Sequence, residues 1–120
     1  MQTNKSNFVI FYKLLPEKLR PKFLQALSNI LELAIPTIYQ RMAKEKFSAK
    51  ERALISYHLG INQKVLFPFQ DDIVVVSDSY KAENIPLYKY FFSDHKFEYN
   101  PAEIEQVLKS NISSKIYIIL

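Results

Sequence analysis

The chain contains no cysteine and a single glycine, Gly60, in 120 residues. Without thiols it can form neither a disulfide nor a thiolate metal site, which fits a reducing, cytoplasmic setting. One glycine cannot supply a glycine-rich loop of the kind that cradles phosphates. The two histidines, His58 and His95, lie far apart, and without cysteine they do not frame a zinc site. No apolar run reaches the roughly 18–20 residues that cross a bilayer, so no membrane span is expected. The opening MQTNKSNF lacks a basic segment leading into a long apolar run, so no secretory signal is expected either. His95 follows Asp94 in a predicted turn, Asp71-Asp72 reads as a solvated loop, and no Ser/His/acid order follows from spacing. The expectation is a protein that is not an enzyme, with no cofactor and no metal.

Apolar residues are plentiful instead, at 48% of the chain, enough for one domain or a small domain with an appendage. The net charge is +4, unevenly spread. Residues 1–67 hold eleven Lys/Arg against four Asp/Glu, a net +7, and residues 68–120 hold five against eight, a net −3. The basic half is where a polyanion would dock, or it is an ordinary solvated surface.

That basic half reads as helices. Asn7 is a candidate cap, with Phe8, Phe11, Tyr12 and Leu15 at amphipathic spacing behind it. Pro16 should end that helix. Pro21 opens a second, with Phe23, Leu24, Leu27, Ile30 and Leu31 on one stripe. After a turn of three or four residues, Pro36 opens a third. Its Ile38 and Met42 line one face, Tyr39 flanks it, and Thr37, Gln40, Arg41 and Lys44 project opposite. Ser48-Ala49-Lys50-Glu51 is a capping box for a fourth helix, with Ala53, Leu54, Tyr57 and Leu59 as its core face. Gly60 stops that helix, and Asn62 caps a short QKVLF helix. His58, in the fourth helix's last turn, suits the macrodipole.

Beyond Pro68 the pattern changes. Asp72 to Ser77 is β-branched and reads as a strand. Leu87–Phe92 and Lys96–Tyr99 read as a hairpin around Ser93-Asp94-His95. Asn100-Pro101 starts a helix with Ile104, Val107 and Leu108 as its buried stripe. Lys115 to Leu120 is apolar enough for a closing strand or a subunit contact. The predicted fold class is α+β. Residues 7–67 would form a four- to five-helix domain, and 68–120 a small mixed β/α extension.

Two helices joined by a tight turn, the second with a polar face, can place side chains in the DNA major groove. LELAIPTIYQRM followed by FSAKERALISYHLGINQKVLF resembles the lambda-repressor-like helix-turn-helix family of Cro- and repressor-type regulators. Phe11-Tyr12-Lys13-Leu14-Leu15 and Thr37-Ile38-Tyr39 look like the matching stretches of small regulators of this kind from the Bacteroidetes. The resemblance covers roughly residues 8–67. It implies that Thr37, Tyr39 and Gln40 face the groove and that Gln25 contacts phosphate. Tyr39 lies near the apolar flank, so a core role stays open. Arg41, Lys44 and Lys46 complete a basic strip, since arginine suits guanine and lysine suits phosphate. Two positions depart from the family pattern. Glu32 stands where the turn usually has Gly, and Pro36 stands where many relatives carry a base-reading residue.

The function expected is therefore a DNA-binding transcriptional regulator acting on double-stranded DNA as a homodimer, residues 36–46 forming the helix that enters the major groove. Residues 68–120 would supply the dimer contact or a surface for a partner protein. The alternative is a protein-interaction module on the same scaffold that has lost DNA recognition.

Overall fold

The computed structural model describes residues 6–70 and 72–119, the stretch 111–119 by its backbone alone. The first half follows the sequence pattern closely: α1 (Asn7–Leu14), α2 (Arg20–Leu31), α3 (Ile35–Lys44), α4 (Ala49–Leu59) and α5 (Gln63–Leu66). Pro21 and Pro36 each sit in the first turn of their helix, one residue inside the start. There a missing N–H costs nothing. Leu15, before Pro16, is extended and ends α1 as expected. The Ser48 capping box forms in full, and the Asn62 side chain accepts from the Lys64 amide at 2.8 Å.

The second half overturns the α+β expectation. Among the described residues every regular element is helical: α6 (Asp78–Glu83), a 3-10 turn at Leu87–Lys89, α7 (Phe91–Asp94) and α8 (Pro101–Ile119). The predicted strand at 72–77 is irregular chain with no strand beside it. The predicted hairpin fails for a packing reason. Phe91 and Phe92 are both buried, and neighbouring side chains in a strand point to opposite faces. One helical turn buries both. Lys96, at φ +58°, then reverses the chain so that Phe97 and Tyr99 fold back on the same cluster. The predicted closing strand is a continuation of α8 through Ile119, and Leu120 lies outside the described residues. Asn100 caps α8, its side chain accepting from the Ala102 and Glu103 amides. Of its predicted stripe, Leu108 is buried, Ile104 is half-buried and Val107 is exposed.

Asn7 does other work than predicted. Ser6, not Asn7, stands at the N-cap of α1. Asn7 is buried inside it, its Nδ2 donating to the Val65 carbonyl at 2.8 Å and the Leu108 carbonyl at 3.4 Å. It ties α1 to α5 and α8. Helix α4 buries more than a stripe, because α2, α5 and the 3-10 turn all pack on it. Arg52, Ser56 and His58 are buried along with Ala53, Ile55 and Leu59, whereas the predicted core residues Leu54 and Tyr57 are only half-buried. Arg52 donates to the Phe47 and Asp72 carbonyls and pairs with the Asp72 carboxylate, so its charge is compensated.

The core is a single aromatic cluster drawn from both halves. Phe8, Phe11 and Phe23 are wholly buried, with the Phe11 and Phe23 rings 5.8 Å apart. Phe92 stacks on Tyr99 at 4.0 Å and also faces Phe23, while Tyr99 sets its edge against Phe11. Burial of each such ring stabilises by about 1.5–3 kcal/mol, with a further contribution from ring–ring geometry. The Tyr99 hydroxyl donates to the Leu59 carbonyl at 2.7 Å, and burial pushes its phenol pKa up.

Candidate nucleic-acid interface

Helix α3 is set by the turn before it. Helix α2 ends at Glu32 in the left-handed conformation (φ +57°, ψ +43°), its amide bonded to the Ser28 carbonyl. The Leu33 amide reaches the same carbonyl at 3.2 Å, and the Ser28 hydroxyl donates to the Leu33 carbonyl at 2.6 Å. Ala34 is extended, and α3 starts at Ile35. Three residues thus separate the helices, and Glu32 takes the conformation that glycine adopts without strain. Helix α3 ends the same way. Glu45 is left-handed at φ +55°, with the Lys46 amide bonded back to the Arg41 carbonyl at 3.0 Å.

Ile38 and Met42 fasten α3 to the core. Opposite them Pro36, Tyr39, Gln40, Ala43 and Lys44 are exposed. Tyr39 is 51% exposed, so it is no core residue, although it neighbours Tyr12. Burial and the neighbouring Tyr39 hydroxyl push the Tyr12 phenol up to about 12, against the pull of nearby Arg20. Thr37 and Arg41 lie on the flank of α3 and are only partly exposed. Gln25 is exposed on α2, as is Lys22, and Lys46 is exposed just past the end of α3.

Glu51 is the residue that sequence reasoning placed too simply. It is a cap, and it is also the partner of Arg41. Its Oε1 accepts from Arg41 Nε at 3.0 Å and from the Ser48 amide at 2.9 Å, and its Oε2 accepts from Arg41 Nη2 at 3.1 Å. Burial pushes the Glu51 carboxyl up, but Arg41 and the Ser48 amide together outweigh it and leave the pKa below the ordinary carboxylate value. The Arg41 guanidinium is raised in turn by that partner. A bidentate pair of this geometry holds both side chains in one place. Glu45, at the other end, accepts from the Ser6 amide. The free cations on this side are therefore Lys44, Lys46 and Lys50, which are exposed and form no ion pair among the described residues. Spacing alone could not reveal the Arg41–Glu51 pair, because ten residues and a turn separate the two.

No cluster of three metal-ligating side chains occurs among the described residues, and none of their helices is long and apolar enough to cross a membrane. Comparison with protein-family models, with curated proteins and with solved structures finds no match.

Proposed function

We propose that this chain binds double-stranded DNA through the outer face of α3, as a regulator of the helix-turn-helix kind. The observation that supports this reading best is that α3 follows α2 across a three-residue turn and keeps Tyr39, Gln40 and Lys44 in solvent. The Gln40 amide can pair with an adenine edge. Lys44, Lys46 and Lys50 suit phosphates, as does the Thr37 hydroxyl. Gln25, exposed midway along α2, would touch the backbone. Arg41 is held by Glu51, so it contributes to guanine contact only when that pair opens. Phosphate contacts then dominate affinity, and sequence discrimination rests on Gln40 and Tyr39. Selection from a random duplex library tests this. Enrichment of a shared motif, lost in Gln40→Ala, is expected. A pool that stays random, with no salt-sensitive binding, contradicts it.

A second reading has a specific observation in its favour. The Arg41–Glu51 pair removes one cation from the presented face, and Pro36 and Ala43 add apolar surface to it. Such a face suits a protein partner better than a polyanion. Under this reading Tyr39→Ala abolishes association with a protein, and Lys44→Ala leaves that association unchanged.

A further inference from the structure

The segment Asp72–Ser77 is strand-prone and has no strand beside it. It lies over Ala53 of α4, with Ile73 45%, Val74 39% and Val75 78% exposed. Its main chain is fastened at alternate residues. The Asp72 carbonyl accepts from Arg52 Nη2 at 3.0 Å, and the Val74 carbonyl accepts from Gln63 Nε2 at 2.8 Å. The main-chain groups of Ile73 and Val75 make no hydrogen bond among the described residues. In a strand, successive residues turn their N–H and C=O groups to opposite edges. One edge of this segment is held by the protein's own side chains, and the other edge is open.

We infer that the open edge pairs with the same segment of a second copy, forming an antiparallel two-stranded ribbon about a twofold axis at Val74. An open strand edge is a template for another strand, and a twofold contact lets one surface serve as both partners. The register follows from which residues are free. Centred on Val74, Ile73 exchanges hydrogen bonds with Val75 of the partner subunit, and Val75 with the partner subunit's Ile73. Both open residues are then satisfied. A register one residue away turns a fastened edge toward an open one. The centred register also sets no acid against an acid, since Asp72 faces Val76 of the partner subunit. The valine and isoleucine side chains, costly in water, cover each other across the pair.

The absence of cysteine makes the test direct. Val74→Cys places two thiols at the axis with their Cα atoms ~4.5 Å apart, within disulfide range. Air oxidation of this variant, without DNA, should give a covalent dimer on a non-reducing gel, and Val76→Cys should not. Light scattering should give twice the monomer mass for wild type and for Val75→Thr. Val75→Pro, which lacks the N–H that the ribbon needs, should give the monomer mass with an unchanged helical circular dichroism spectrum. Wild type that stays monomeric to its highest soluble concentration overturns the inference, as does Val75→Pro that dimerises like wild type. No nucleic acid enters these measurements, so their outcome is separate from that of the DNA-binding reading.

Discussion

At the scale of single residues, the left-handed positions are the most demanding. Gly60 sits at φ +71° beneath Tyr88, and a methyl group there would stand 2.9 Å from Tyr88 Cε1. Gly60→Ala should lower stability by about 1–2 kcal/mol from backbone strain, before any displacement of the ring. Glu32 bears the same strain without glycine's freedom, so Glu32→Gly should raise stability by up to about 1 kcal/mol in a denaturant titration. Glu45→Gly relieves a like strain but loses the bond to the Ser6 amide, so little net change is expected there. Gly60 was legible as a stop from its type and place. The conformation at Glu32 was legible only by assuming the turn, since nothing about a glutamate announces it. The helix-end place of His58 fits a structural or a surface role, and the structure gives it the structural one: it is buried, with Nδ1 accepting from the Leu87 amide at 3.0 Å and Nε2 bonded to the Tyr80 hydroxyl at 2.9 Å. An accepting Nδ1 requires the neutral ring. Burial lowers its pKa below the ordinary 6.5, so the unfolded chain takes up the proton first. Stability from this group is complete above about pH 6.5 and is lost as pH falls below it toward the folded-state pKa. The urea midpoint should drop between about pH 7 and pH 5, and His58→Asn should flatten that drop.

At the scale of elements, helices with chemical punctuation were legible and the connections without it were not. Ser48, Asn62, Asn100, Pro16 and Gly60 each act where their type predicts. Ser48→Ala should cost about 1 kcal/mol, the usual worth of an N-cap. The strand readings failed because β-branched and aromatic runs report burial and stiffness, not the presence of a neighbour to pair with. In 87–99 the side chains supply the core of a helical globule. In 72–76 only the Asp72 and Val74 carbonyls find partners, in Arg52 and Gln63, and no second strand lies alongside among the described residues. The Arg41–Glu51 link between α3 and α4 was equally out of reach, since each residue already had a satisfactory local reading. It gives a prediction at this scale. Glu51→Gln keeps the capping box and releases Arg41, so under the DNA-binding reading affinity should rise several-fold at low salt.

At the scale of the whole molecule, Phe91, Phe92 and Tyr99 from the second half pack on Phe11 and Phe23 from the first. Phe92→Ala should therefore cost about 3–5 kcal/mol, a large share of the ~5–15 kcal/mol typical of a domain. The loss should appear in α1–α5 as well as in the second half. The charge asymmetry persists at this scale, with Lys44, Lys46 and Lys50 exposed at and beyond the end of α3 and eight of the twelve acids after residue 68, although Glu32 stands before α3 and Glu45 at its end. The most direct measurement of the central claim is the salt dependence of duplex DNA binding for wild type, Lys44→Ala and Glu51→Gln. The log–log slope of wild type should be steeply negative, shallower by about 0.9 in Lys44→Ala and steeper by about 0.9 in Glu51→Gln. Three equal slopes, or no salt-sensitive binding in any of the proteins, would contradict a DNA interface on α3.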